Sequence, residues 1–208
     1  MGPSSFGYSA RSSWQLYAAP RRNMALKIVM RARITKIEPP RRDVMSIVRT
    51  FIVEPRTPEL ALCARWRANA LSVLEASFKM ELRSLEQFAS DQRHGVALIA
   101  KMDGEPIGTC LLAESEIEPN HDVSPWLAGL FVVAEHRRKG AGALLVRAIE
   151  DQARQRGFSR LYLYTTEAVE FYARLGWTVL DHTHWKGFDT VFMVRDLSEP
   201  APDKESAA

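Results

Sequence analysis

The sequence predicts an α+β domain, a mixed and largely antiparallel sheet flanked by helices. Three observations carry this. Apolar segments follow one another in the order strand, two helices, three strands, helix, strand, helix, two strands. Asp103-Gly104 stands between two apolar runs, where both central residues of a tight hairpin need positive φ. The apolar run "SPWLAGLFVV" then leads at once into cations, two glycines and a helical pattern, so a glycine turn joins a central strand to a helix.

At 208 residues, 46% hydrophobic and 25% charged, the chain has the size and composition of one globular core. No run approaches the roughly 20 apolar residues of a membrane-spanning helix. Cys63 and Cys110 stand apart, with neither a disulfide framework nor zinc-ligand spacing, which fits a reducing compartment.

The net charge of +3 is unevenly spread. Of 28 Lys and Arg, 9 lie in residues 1–45, against 2 of the 25 Asp and Glu. Residues 46–208 therefore hold 19 cations against 23 anions, a net of −4, which disfavours nonspecific binding to a phosphate backbone. Residues 1–45 read as a disordered extension or mis-assigned start, with Met24, Met30 or Met45 inside it, although their composition resembles a mitochondrial transit segment. The expected compartment is the cytoplasm, or the mitochondrial matrix if the segment targets. Residues 46–197 form the domain, and 198–208, "SEPAPDKESAA", read as a disordered tail.

Along the domain, "SIVRTFIVEP" is a first strand ended by Pro55. Thr57 and Pro58 suit the N-cap and first position of a helix. Phe78, Leu82, Leu85 and Phe88 form one face of the next helix. The hairpin about Asp103-Gly104 follows, and then the apolar run, long enough to be buried on both faces. After the glycine turn, Leu145, Ala148, Ile149, Gln152 and Ala153 share a helical face, with Gly157 as the stop. "RLYLYT" is a strand, and "TEAVEFYARLG" a short helix capped by Thr166 and stopped by Gly176. "WTVLDH" and "DTVFMVRDL" close the chain as two paired strands.

The turn "HRRKGAGALL" asks for an anion. Small residues let backbone N–H groups converge, and a following helix offers its positive end. Two phosphate folds are excluded. The dinucleotide pattern G-x-G-x-x-G fails because Leu145 stands at the third glycine, and the turn does not follow the first strand of a βαβ series. A Walker A loop fails because Lys139 precedes its glycine.

Arg137-x-x-Gly140-x-Gly142 after an apolar strand resembles the pyrophosphate loop of the GNAT superfamily of acyl-CoA N-acyltransferases, whose form is Q/R-x-x-G-x-G/A. "EAVEFYARLGW", residues 167–177, resembles that family's late helix, and the resemblance spans about residues 46–197. It implies a three-layer α/β/α fold and an acetyl-CoA-dependent N-acetyltransferase acting on a primary amine, of a small molecule or of a peptide or protein, with no metal.

By position, the resemblance implies that Leu130, Phe131 and Val132 offer backbone groups to the pantetheine arm. Arg137, Arg138, Lys139, Gly140, Ala141, Gly142 and Ala143 would hold the diphosphate. Gly129 marks the place for a strand bulge and an N–H donor to the acyl carbonyl. Tyr172 matches the Tyr that donates or shares a proton with the departing thiolate, its other reading being core beside Phe171.

Two departures stand out. Thr165 occupies a position where many members have a cofactor-touching Asn, and "WLAGLFVV" lacks the strand Glu that often serves as base. His121, Asp122 and Glu116 are candidates for that role through water. His182 and His184 alternate on one strand face without further metal ligands. Trp66, Phe78, Trp185 and Asp189 are expected to line the acceptor site. The partners expected are an amine and, as an open alternative, a second copy of the chain, with neither nucleic acid nor membrane. Other readings are a noncatalytic acyl-CoA sensor, suggested by the missing Glu, and an aminoacyl-tRNA-acetylating toxin, which the net of −4 disfavours.

Overall fold

The computed structural model describes residues 47–70, 77–115, 121–185 and 188–198. The extension read over residues 1–45, the tail beyond Ser198, Glu116 and the Trp185 side chain lie outside the described residues. The strands are β1 (Val48–Ile52), β2 (Gly95–Met102), β3 (Glu105–Ala113), β4 (Trp126–Val132), β5 (Arg160–Thr165), β6 (Thr178–Trp185) and β7 (Phe188–Asp196). The helices are α1 (Pro58–Ala70), α2 (Phe78–Ser90), α3 (Ala141–Gln155) and α4 (Val169–Ala173). One seven-stranded sheet runs β1-β2-β3-β4-β5-β7-β6, antiparallel throughout except where β4 meets β5. This is the α+β fold expected, with β4 at its centre.

Local sequence explains most boundaries. Asp103 (φ 52°) and Gly104 (φ 92°) make the hairpin that pairs β2 with β3. Thr57 Oγ1 accepts the Leu60 N–H at 3.3 Å, and Pro58 opens α1. Gly157, at φ 82°, stops α3.

Two layers of side chains cover the sheet. On one face Leu145, Val146, Ile149 and Ala153 of α3 pack with Leu98, Leu112, Leu127, Leu161 and Met193. On the other, Leu60, Cys63 and Ala64 of α1 and Leu85 and Ala89 of α2 pack on Ala97, Ile99, Leu111 and Ala128.

Three local expectations need correction. The buried face of α2 is Glu81, Leu85 and Ala89, while Phe78 is exposed and lies under the Arg65 guanidinium. Glu81 turns inward because its Oε2 accepts from Nε of the fully buried Arg67 at 3.0 Å. The N-cap of α4 is Ala168, with no side-chain cap, and not Thr166; Thr165 Oγ1 accepts the Ala168 N–H at 3.1 Å just ahead of the helix. β4 is buried on both faces only from Trp126 to Ala128; from Gly129 onward it is half-exposed.

That change within β4 has a structural cause. Leu111 faces Ala128 and Thr109 faces Phe131, so Gly129 and Leu130 together oppose the single residue Cys110. Gly129 has φ 59°, which a glycine adopts without strain. The bulge bends β4 away, and its only register pair with β5 is Trp126 with Tyr162. Beyond that pair the two parallel strands part and leave an open seam in mid-sheet.

Candidate active site

The seam ends at the glycine turn. A short 3-10 turn, Ala134–His136, follows β4, and Arg138 (φ 58°) and Gly140 (φ 86°) then reverse the chain into α3. Gly140 is the N-cap, no side chain caps the helix, and its first turn carries no acidic residue. Helices that end in water commonly take Ser, Thr, Asp or Asn at this place. Here the N–H groups of Ala141, Gly142 and Ala143 stand at the mouth of the seam, beside the exposed Arg138 and Lys139.

Gly142 joins three elements that are distant in sequence. A Cβ built on it would stand 3.4 Å from Cζ of Phe171 in α4 and 3.9 Å from Cγ2 of Val132 in β4. The Phe171 ring therefore roofs the place where turn and strand meet.

Among the strand residues, the backbone alternation assigns different parts. Val133 donates to Ile107 O at 2.9 Å, and Phe131 lies two residues back opposite Thr109, so the Phe131 backbone is turned toward β3. The intervening Val132 turns toward the seam, and its carbonyl accepts from Arg137 Nε at 2.9 Å. The Phe131 side chain stacks on Trp66 of α1, with centroids 5.4 Å apart.

Tyr172 is buried on the α3 side of the seam, edge-on to Phe171 and Trp177. Burial pushes its phenol well above the ordinary value, and the nearby Cys110 thiol adds to the shift. Cys110 is the residue opposite the β4 bulge, and its Sγ donates to Ala128 O at 3.6 Å. Tyr172 is thus set beside the bend where the seam begins. Thr165, at the end of β5, is also buried and spends its hydroxyl oxygen on the α4 cap.

On the opposite face of the seam, where sequence reasoning offered His121 and Trp66, it missed an aromatic cluster. There Trp126, Tyr162, Tyr164 and Phe192 form a ring cluster, with Trp126 and Tyr164 stacked at 4.8 Å and Tyr164 and Phe192 tilted at 5.2 Å. His121 stacks on Phe192 at 4.0 Å, its Nδ1 is hydrogen-bonded to the Tyr164 hydroxyl, and its Nε2 lies 3.3 Å from Asp181 Oδ2. The available signal was the alternation in "RLYLYT", which puts Leu161 and Leu163 on one face and Tyr162 and Tyr164 on the other. A groove of about 510 Å³, lined by Tyr162, Phe192, Val194, Thr178 and Leu180 among others, opens beside this cluster.

The remaining candidates lie apart from the seam's mouth. Asp122 is an exposed loop residue. His184 Nδ1 pairs with exposed Asp189 at 3.0 Å, and His182 is exposed on β6. Among the described residues no group of three or more His, Cys, Asp or Glu gathers for a metal ion. No described helix is long and apolar enough to cross a membrane.

Residues 62–177, more than half of the chain, match the acetyltransferase (GNAT) family. The chain belongs to this family. It is an acyltransferase. No curated protein matches it. Solved structures share its fold. An aminoglycoside 6'-N-acetyltransferase complexed with coenzyme A is 18% identical, with TM-score 0.58, over 74% of this chain and 99% of that one. The acetyltransferase of the GNAT family from Streptococcus pneumoniae is 17% identical, with TM-score 0.56, over 72% and 99%. A Salmonella typhimurium protein solved with its cofactor acetyl-CoA is 19% identical, with TM-score 0.55, over 76% and 98%.

Proposed function

We propose that the protein is an N-acetyltransferase that moves an acetyl group from acetyl-CoA directly to a primary amine, with both bound at once. The observation that carries this reading is the seam. β4 bends away from β5 at a bulge, and the opening leads to an uncapped helix N-terminus between Val132, Gly142 and Phe171.

In this reading Val132 and Leu130 present backbone groups to the pantetheine arm, while the Phe131 backbone stays in the β3 ladder and holds the edge straight. The N–H groups of Gly140, Ala141, Gly142 and Ala143 bind the diphosphate, with Arg138 and Lys139 adding charge-assisted bonds. Arg137 braces the Val132 carbonyl through Nε and turns its remaining guanidinium donors toward the phosphates. Gly129, at positive φ beside the bend, supplies an N–H to the acyl oxygen. Thr165 positions α4 at the acyl end by holding the Ala168 N–H just ahead of it.

Tyr172 hydrogen-bonds the sulfur as negative charge gathers on it. Because burial disfavours the phenolate, the phenol shares its proton rather than releasing it outright. The acceptor enters from the face bearing Trp66 and the ring cluster. An exposed basic amine of a small molecule or a peptide suits an anionic domain.

Calorimetric titration of acetyl-CoA into the full chain tests the reading, with Gly142→Glu as the control that sets bulk and negative charge against the phosphates. Saturable binding that the substitution abolishes supports it; a folded chain that binds no acyl-CoA refutes it. Thiol release is then followed over a panel of primary amines that includes an aminoglycoside, the class named for one structural neighbour. Cofactor binding with no amine turned over would favour the sensor reading.

A further inference from the structure

The strand that faces the acyl end carries no ionisable side chain from Trp126 to Val133, so the group that takes the proton from the attacking amine must come from elsewhere. Tyr164 is placed to reach it. The single β4–β5 pair is Trp126 with Tyr162; two residues further along both strands, Tyr164 comes level with Ala128, immediately before the bulge. Its ring lies on the face opposite Tyr172, the face that Trp66 and Phe131 share.

The hydrogen bonds around His121 fix its protonation pattern. Asp181 as a carboxylate only accepts, so Nε2 carries the hydrogen that points to Oδ2 at 3.3 Å. In the neutral ring Nδ1 then holds a lone pair, and the Tyr164 hydroxyl donates to it. The His182 backbone N–H, and then the His121 ring, keep the Asp181 carboxyl below its ordinary range and therefore ionised. Against the imidazole lie the Phe192 ring from β7, stacked at 4.0 Å, and the Tyr164 ring, tilted at 5.7 Å; His182 follows Asp181 on β6 and Asp122 follows His121 in the chain.

We infer that His121 is the proton acceptor of this site, reached from the amine through the Tyr164 hydroxyl and oriented by Asp181. The inference rests on the acetyltransferase reading. As the amine nitrogen bonds to the acyl carbon, one N–H proton passes to the Tyr164 oxygen and the Tyr164 proton passes to His121 Nδ1. The C–S bond then breaks, and the departing thiolate, hydrogen-bonded by Tyr172, takes a proton from water. The imidazolium, facing Asp181 at the surface, returns its proton to solvent. Amine and thioester thus give amide and thiol with no net proton. Tyr164 is the group that touches the substrate, and Asp181 is a positioning residue.

The first test needs no knowledge of the amine. Long-range ¹H–¹⁵N correlation spectra of the full chain should show neutral His121 as the Nε2–H tautomer, with that preference lost in Asp181→Asn and the Nδ1 shift moved in Tyr164→Phe. Acetyl-CoA and CoA are then compared. The Gly142 amide should respond to both, and His121 should distinguish them. A His121 protonated at Nδ1, or one blind to the acetyl group while Gly142 responds, overturns the inference and leaves the cofactor site standing. If Gly142 responds to neither, the acetyltransferase reading fails and takes this inference with it.

With an acetylated amine from the panel, His121→Gln should lower kcat about 100-fold with KM for acetyl-CoA unchanged. It should also abolish the rise of kcat with pH, and imidazole should partly rescue His121→Ala. An equal loss at every pH without rescue would mark a structural role only and overturn the inference.

Discussion

Arg195 Nη1 donates to the Gly176 carbonyl at 3.0 Å and stands 2.8 Å from where a Gly176 Cβ would lie. Arg195 is buried in β7, and Gly176, at φ 88°, ends the segment that carries Tyr172. The glycine of the "RLGW" stretch is thus required twice, by its backbone angle and by the guanidinium against it. Gly176→Ala should cost about 2–4 kcal/mol from left-handed strain and a displaced buried cation. Urea unfolding measures it, and an unchanged midpoint would refute the account.

Arg67 and Glu81 tie α1 to α2 inside the core. Glu81→Ala takes a hydrogen-bonded carboxylate away from a fully buried guanidinium and should destabilise by about 3–5 kcal/mol. The double replacement Arg67→Met with Glu81→Leu should lose clearly less than the single one. If denaturant curves put the double variant below Glu81→Ala, the pair contributes more than its desolvation costs.

Glu150 of α3 accepts from Trp177 Nε1 at 3.0 Å, and burial raises its carboxyl pKa despite Arg195 and Arg154 nearby. A raised folded value favours the fold below the ordinary carboxylate pKa, and that advantage is lost as pH rises through the folded value. Glu150→Gln keeps the acceptor and mimics the protonated form. It should match wild type in acid and surpass it as pH rises toward neutrality, whereas Glu150→Ala should lose about 1–3 kcal/mol throughout. A stability difference between Gln and Glu that does not move with pH would refute the assignment.

Alkaline stability should depend on Cys63. Burial on the α1 side pushes its thiol up to about 11 from an ordinary value of 9.0. The stability this contributes is complete below pH 9 and lost as pH rises through about 11, roughly 2–3 kcal/mol in all. Cys63→Ala, weaker at neutral pH because of its cavity, should lose less over that window. Parallel slopes for both proteins would show that another group is responsible.

What could be read in the sequence followed from rules that act over a few residues. Asp103-Gly104 gave the hairpin because positive φ admits few side chains, and Gly140 and Gly142 marked the turn because a close backbone approach excludes bulk. Errors came where a distant partner decides. Glu81 reads as the outer face of α2 until Arg67, fourteen positions earlier, is seen buried beneath it. Thr166 suits an N-cap by propensity, but α4 begins only at Val169, after Ala168, whose N–H Thr165 holds from the end of β5. The chain from Tyr164 through His121 to Asp181 joins β5, a loop and β6, and no local spacing encodes it.

The extra residue in β4 also sets a phase. Ala128 and Phe131 are three positions apart, which in an unbroken strand would send their side chains to opposite sides. With Gly129 and Leu130 both opposite Cys110, they emerge on the same side, and Phe131 meets Trp66. The count of residues at this point, more than their identity, decides which layer each later side chain joins. Deleting one residue there would move Phe131 toward α3 and Val132 toward α1, and so reverse the two walls of the seam while leaving every other strand in place.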